Sequence, residues 1–153
     1  MSNSILIEKK WMKLALSEAR KAQLEGEVPV GAVLIKDNKL ISKAHNQPIS
    51  NIDPTAHAEI QAIRLASKSL NNYRLNGLTL YVTLEPCIMC LGAIANARIS
   101  NLIFGAYDNK SGACGSCLNL TNSQCINHKI EIVGGILSSE SKNLLQSFFK
   151  SKR

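Results

Sequence analysis

The chain has 153 residues, of which 45% are hydrophobic and 19% are charged. This length and composition suit a single folded domain, which we predict over residues 1–153, and argue against a disordered or membrane-spanning chain. The N-terminus lacks the long apolar segment of a secretory signal, so we expect a cytoplasmic protein. The formal net charge of +7 favours a polyanionic partner, most simply nucleic acid.

The first half of the chain predicts a helix, a β-hairpin and a second helix. Apolar residues at three- and four-residue steps predict the first helix, which Gly26 would end. The polar, proline-containing loop over residues 45–55 is a common place for substrate contacts, and Thr55 is the predicted N-cap of the second helix. The predicted bounds are residues 4–25 and 56–70 for the helices and 28–35 and 40–44 for the strands.

In the second half, strands and helices alternate around a long loop over residues 107–127, rich in glycine, serine and asparagine. Loops of that length in compact domains usually have a function. Alternating strands and helices after a hairpin predict a three-layer α/β/α sandwich with a mixed sheet of about five strands. The predicted bounds are residues 78–84, 100–106 and 130–133 for the strands and 87–97 and 138–150 for the helices.

Two short motifs carry the candidate chemistry. One is His-x-Glu, with His57 and Glu59, and the other is Pro-Cys-x-x-Cys, with Cys87 and Cys90. The two cysteines share one face in the first turn of a predicted helix, where the helix dipole favours thiolates. His57 falls in the first turn of the preceding helix. Three such ligands leave the fourth position of zinc open, which is the arrangement of a catalytic site.

Glu59 is the candidate proton carrier beside this metal. Zinc lowers the pKa of a bound water to near 7, so that hydroxide is available at neutral pH. A carboxylate two residues after His57 can take a proton from that water and deliver it to a ring nitrogen and a leaving amine.

A second Cys-x-x-Cys, with Cys114 and Cys117, offers a different metal site. Together with Cys87 and Cys90 it would form a structural four-cysteine zinc site, although the 23 residues between the pairs exceed the usual spacing of ~15–20 residues. That alternative leaves the His-x-Glu motif without a role. The total of five cysteines is odd, which argues against a disulfide framework and for reduced thiols.

The combined signature His-x-Glu…Pro-Cys-x-x-Cys is that of the zinc nucleobase deaminases. The chain also resembles the bacterial tRNA-specific adenosine deaminases over nearly its whole length. This resemblance implies a cytidine-deaminase-like fold. The stretches that carry it are residues 26–33, 45–46, 57–59, 83–94, 104–106, 110–113, 127–128 and 135–137.

The resemblance implies that a zinc-activated hydroxide converts the wobble adenosine of a tRNA anticodon loop to inosine. It implies that His57, Cys87 and Cys90 hold one Zn²⁺ per subunit, that Glu59 shuttles protons, and that the enzyme is a homodimer. The adenosine must be splayed out, which costs least in a single-stranded loop. The substrate contacts that the resemblance suggests are Asn46, the backbone N–H of Ala58, Val30, Leu84 and Asn127.

Several interpretations stay open at this stage. Asn46 could instead be a turn-forming side chain, and Asp108 and Lys110 are either tRNA contacts or ordinary polar loop residues. The same zinc chemistry could act on a different base, such as cytosine, cytidylate or guanine. A non-catalytic, zinc-stabilised RNA-binding module is a further alternative.

Overall fold

The computed structural model describes residues 3–152. All nine predicted helices and strands are present, with bounds shifted by at most three residues. The elements in chain order are α1 (Asn3–Leu24), β1 (Gly31–Lys36), β2 (Lys39–His45), α2 (Ala58–Leu70), β3 (Thr79–Leu84), α3 (Ile88–Asn96), β4 (Asn101–Ala106), β5 (Glu131–Val133) and α4 (Ser138–Ser151).

The strands form one mixed sheet in the order β2-β1-β3-β4-β5. Strand β1 is antiparallel to both of its neighbours, β2 and β3, whereas β3, β4 and β5 run parallel. A parallel pair needs a crossover, and α3 supplies the one between β3 and β4. The predicted mixed sheet of five strands is confirmed.

Helices cover both faces of the sheet. Along β1, Ala32 and Leu34 pack on one side, in the same core as residues of α2 and α3, whereas Val33 and Ile35 pack on the other side against α1. Successive side chains of a strand point to opposite faces, so this alternation separates the two cores. Helix α4 contacts α1, and α2 contacts α3. The predicted three-layer sandwich is therefore confirmed.

The parallel strands and the helices that follow them define the functional end of the sheet. Strand β3 ends at Leu84, and α3 begins at Ile88, only a few residues further on. The long loop after β4 folds back onto this junction, because Gly112 forms an isolated β-bridge with Cys87. Among residues 3–152, no helix is both long and apolar enough to cross a membrane.

Two local predictions near this end are wrong. The predicted strand over residues 28–35 begins only at Gly31, because Val30 donates its N–H to the carbonyl of Val28 (2.9 Å) within an irregular segment. Thr55 is not the N-cap of α2. Its hydroxyl donates to Asp53 (2.7 Å), and the helix begins three residues later, at Ala58.

Candidate metal centre and substrate pocket

The starts of α2 and α3 bring the three predicted metal ligands together. His57 occupies the N-cap position of α2, and Cys87 occupies that of α3, with Cys90 in the first turn of α3. Neither N-cap side chain caps its own helix. One ligand atom from each of these three residues lies within 4.8 Å of the other two. Both N-cap side chains are therefore left to face each other across the junction.

The spacing of these atoms fits a tetrahedral metal ion. His57 Nδ1 lies 3.7 Å from Cys87 Sγ and 3.5 Å from Cys90 Sγ. Metal bonds of ~2.1 Å to nitrogen and ~2.3 Å to sulfur place neighbouring tetrahedral ligands about 3.6 Å apart. Two sulfurs and one imidazole nitrogen are a donor set that zinc prefers. The residues present therefore fit the metal that the fold implies.

The hydrogen bonds of the cluster already favour a thiolate at Cys87. A hydrogen bond from the Cys90 thiol, together with one from His57, lowers the pKa of Cys87 to about 3. The same Cys90–Cys87 bond raises the pKa of Cys90, and the bond to Cys87 raises the pKa of His57. A thiolate is the form that binds metal, so these hydrogen bonds favour the binding form at Cys87, while Cys90 must release its proton when a metal binds.

Glu59 lies in the first turn of α2 and is buried, with 4% of its surface exposed. Burial raises the pKa of its carboxyl group, against the smaller lowering effects of its own backbone N–H and of His57. A raised pKa makes the carboxylate a better proton acceptor, as a general acid–base group requires.

An open cavity of about 300 Å³ adjoins the cluster and includes Glu59 in its wall. Four of the predicted substrate residues also line it, two apolar and two polar. Its lining residues are Val28, Val30, Asn46, Pro48, His57, Glu59, Leu84, Glu85, Cys87, Asp108 and Ser111. The cavity thus combines apolar walls with a few convergent polar groups, as binding sites for small molecules or single bases do.

Asn46 connects the cavity to the start of α2. Its side-chain oxygen accepts the N–H of Ala58 at 2.8 Å, and its own side chain is 8% exposed. The bond caps an N–H that α2 could not satisfy by itself. Ala58 is fully buried, and its N–H is directed at Asn46, which corrects the expectation that it faces the base. The polar group that Asn46 still offers the cavity is its NH₂.

The structure places two other predicted contacts outside this cavity. Asn127 accepts a hydrogen bond from the Arg98 side chain at 3.2 Å and lines separate cavities beside α3 and β5. The second half of the long loop lies there, so Asn127 does not share the cavity with Glu59. Lys110 lines a neighbouring cavity of about 460 Å³, which shares Leu84 and Asp108 with the first.

Sequence reasoning missed several lining residues. Val28 and Pro48 lie in segments without regular structure, and Ser111 lies within the long loop. Glu85 directly precedes the Pro-Cys motif, and an acidic residue at the end of an apolar strand was the one signal the sequence offered for it.

The alternative four-cysteine site is not formed. Within residues 3–152, the only group of three or more potential ligands close enough to share an ion is the one with His57. Cys114 and Cys117 do not join it. Burial raises the pKa of Cys114 to about 12, with the negative charges of Glu85 and Glu59 adding to the effect.

Glu27 holds the loop that carries Asn46 and Pro48. It is 1% exposed, and its carboxylate accepts the N–H of Ile49 (3.2 Å), the N–H of Ser50 (2.8 Å) and the Ser50 hydroxyl (2.7 Å). Burial acts to raise the pKa of Glu27, but the bonds from Ser50 and Ile49 together lower it below its ordinary value.

We expect Glu27→Gln to reduce the free energy of unfolding by about 1–3 kcal/mol at pH 7, because glutamine keeps only one of the two acceptor oxygens and some buried donors lose their partner. A carboxyl whose pKa is lowered in the folded state stabilises above its unfolded pKa of about 4.3, and this contribution is lost as the pH falls through the folded value. The difference between wild type and variant should therefore shrink below about pH 4. Urea unfolding at pH 7, 5 and 3 measures it, with the exposed Glu131→Gln as control. A difference that does not change with pH would contradict this assignment.

Comparison with known proteins agrees with the fold and the cluster. The family model of the MafB19-like deaminases matches residues 7–153. A tRNA-specific adenosine deaminase of Buchnera aphidicola subsp. Baizongia pistaciae is 51% identical over 146 residues, which cover 95% of this chain and 90% of the relative. That of Haemophilus influenzae is 48% identical over 147 residues, which cover 95% of this chain and 85% of the relative.

A solved structure from a study of A-to-I editing by tRNA:A34 deaminases at the wobble position of transfer RNA superposes with a TM-score of 0.87. It is 45% identical to this chain and covers 89% of it, while the match spans 99% of that structure. The fold and the cluster of one histidine, two cysteines and a buried glutamate define a deaminase of the cytidine-deaminase-like fold. Within this class, the identities over almost the full chain show that it belongs to the tRNA-specific adenosine deaminase family.

Proposed function

We propose that this enzyme hydrolyses the wobble adenosine of a tRNA anticodon loop to inosine and ammonia. The observation that carries the proposal is the meeting of His57, Cys87 and Cys90 beside the buried Glu59 at one open cavity. The relatives named as tRNA-specific adenosine deaminases support the choice of substrate. The net charge of +7 also suits a polyanionic RNA.

Zn²⁺, one per chain, is the ion we propose for His57, Cys87 and Cys90. Two thiolates and an imidazole are common zinc ligands, and three protein ligands leave a fourth position open. When bound, the ion would supply hydroxide at neutral pH, since it lowers the pKa of water to near 7. The protein contributes to binding by holding Nδ1 of His57 at tetrahedral ligand spacing from the sulfurs of Cys87 and Cys90.

Glu59 is the residue we propose for proton transfer. Its place in the cavity wall beside His57 lets it take the proton of the attacking water. It then gives this proton to N1 of adenine as the water oxygen bonds to C6. Glu59 next takes the proton of the new C6 hydroxyl and gives it to the amino group, so that the C6–N6 bond breaks, ammonia leaves and a C6 carbonyl remains. Burial raises the pKa of its carboxyl group, which makes Glu59 a better proton acceptor than an exposed carboxylate.

The cavity walls are proposed to hold the splayed adenosine. Val30 and Leu84 offer apolar surface to the flat base, and the NH₂ of Asn46 offers a hydrogen bond. Asp108 sits at the boundary with the neighbouring cavity that Lys110 lines, so both are proposed to contact the flanking RNA. A single-stranded anticodon loop allows this extrusion at lower cost than a duplex.

The zinc-loaded protein, incubated with an anticodon stem-loop RNA that carries adenosine at the wobble position, is expected to produce inosine there. Mass spectrometry of the digested nucleosides measures it, and the same RNA with a wobble guanosine is the control. Turnover of free cytosine, cytidylate or guanine without inosine in the RNA would favour deamination of a small substrate. RNA binding without any ammonia release would favour the non-catalytic module.

A homodimer is the assembly that we propose, with α3 in the interface. Ile88, at the start of α3, is 59% exposed, and it lines an apolar cavity with Leu91, Gly92 and Ala95. Light scattering is expected to give the mass of two chains, and Ile88→Lys should lower it towards one chain, because a charge would be buried in the contact. A single-chain mass for the wild type would contradict the dimer.

The cytoplasm is the compartment that we propose for this reaction. The structure pairs none of the five cysteines, and a reducing compartment keeps thiols in that state.

A further inference from the structure

We propose that Glu85 is a positioning residue that holds the Asp108–Ser116 loop against the metal centre and thereby sets the affinity for the RNA substrate. The proposal rests on the proposed function, because it assigns a role in binding to the loop that lines the substrate cavity. Glu85 is not a metal ligand and takes no part in the proton transfer described above.

The contacts of Glu85 are all donated by one segment of the chain. Its Oε1 accepts the N–H of Asp108 (3.0 Å) and the hydroxyl of Ser116. Its Oε2 accepts the N–H groups of Cys114 (3.0 Å) and Ser116 (3.1 Å). A carboxylate accepts through both of its oxygens, so one side chain gathers four donors from residues 108–116. Only 2% of Glu85 is exposed, so water does not replace these bonds.

Backbone hydrogen bonds at Glu85 and Pro86 connect β4 and this loop to the segment that precedes Cys87. The N–H of Glu85 donates to the carbonyl of Ala106 (2.8 Å), and Cys87 lies two residues further along. Pro86, between them, accepts the N–H of Ala113 through its carbonyl (2.9 Å). The loop is therefore bonded to the segment that leads into the metal centre through Pro86 as well as through the Glu85 side chain, while Ala106, at the end of β4, holds the Glu85 backbone in place.

Gly112 shows how closely the loop is fitted around the carboxylate. A Cβ added at Gly112 would overlap the Glu85 carboxyl group and the carbonyl of Asp108. Every residue other than glycine has this atom, so the loop can close over Glu85 only with glycine there. Gly112→Ala consequently disturbs the same contact from the loop side while Glu85 stays intact.

The loop held in this way supplies two walls of the substrate cavity. Asp108 and Ser111 line it, and the side chain of Asp108 accepts the N–H of Lys110 (3.0 Å) and of Ser111 (3.2 Å). The bond from the Asp108 N–H to Glu85 thus fixes the start of a turn whose side chains face the substrate. A small displacement of such positioning groups weakens binding without altering the reacting groups.

Glu85→Gln tests the proposal, since glutamine keeps the shape but replaces one acceptor oxygen by an NH₂ donor. We expect hydrogen exchange of the amides over residues 107–117 to become about tenfold faster or more, with the rest of the chain unchanged. The KM for the anticodon stem-loop should rise about tenfold, with little change in kcat and with the zinc content intact. Glu131→Gln, exposed and remote in the sheet edge, is the matched control.

Three results would overturn the proposal: unchanged exchange in the loop, unchanged KM despite faster exchange, or loss of zinc. The last would make Glu85 a support of the metal centre and not of the substrate loop. If Glu85→Gln fails to fold, Gly112→Ala must reproduce the rise in KM. Ser116→Ala removes only the hydroxyl hydrogen bond, so it must show a smaller rise in KM. If the wild type forms no inosine, the proposed function fails. The role of Glu85 is then decided by two other measurements, the hydrogen exchange of the loop amides and the affinity for the stem-loop RNA.

Discussion

Glu59→Gln is expected to abolish most of the deaminase activity, lowering kcat by about 10²–10⁴-fold, the usual effect of removing a general acid–base group. Glutamine has the same shape but cannot accept or deliver a proton. Glu59 lines the cavity next to His57. We therefore expect the loss of activity to come from the missing carboxylate, with the rest of the site unchanged. Ammonia release and inosine formation on the anticodon stem-loop measure the effect.

The same variant should keep its metal and its fold. Glu59 does not belong to the cluster of ligand atoms, so the zinc content is expected to stay at one per chain. Its carboxyl group is buried and its pKa is raised by burial, so a neutral amide there should leave the thermal midpoint unchanged or higher. Glu131, whose side chain is 68% exposed, provides the control: Glu131→Gln measures the general effect of replacing a carboxylate by an amide. Full activity in Glu59→Gln would show that another group moves the proton.

The sequence predicted that His57, Cys87 and Cys90 would meet, and local structure decides the arrangement of the two cysteines. Cys87 is the N-cap of α3 and Cys90 follows three residues later, so helix geometry alone places both side chains on one face. The order of strands and helices likewise predicted the sandwich, since few layer arrangements bury both faces of such a sheet.

The substrate cavity was harder to predict, because loops from distant parts of the chain form it. The bond between Asn46 and Ala58 joins a loop to a helix start twelve residues away. Glu85 reaches across to Ser116, 31 residues further on. Neither contact leaves a periodic pattern in the sequence. The position of Asn127 was uncertain for the same reason, since nothing local indicates where the second half of a 21-residue loop lies.

Cys87→Ser is expected to remove the bound zinc, with the metal content falling from about one per chain to near zero, because a serine hydroxyl is a far weaker ligand than a thiolate. Cys87 is the most acidic thiol of the cluster, with its pKa at about 3, so it contributes the ligand that needs no proton removed. Elemental analysis after dialysis measures the metal. Activity should be lost with it.

The thermal midpoint should fall as well, because an ion bound only to the folded state stabilises it and joins the starts of α2 and α3. A chelator should lower the midpoint of the wild type to the same extent and leave Cys87→Ser almost unaffected. Cys114→Ser is the matched control. This thiol lies outside the cluster, so its replacement should keep the zinc. Zinc retained in Cys87→Ser but lost in Cys114→Ser would instead require a metal site built on the second cysteine pair, and the junction of the two helices would then lose its proposed role in catalysis.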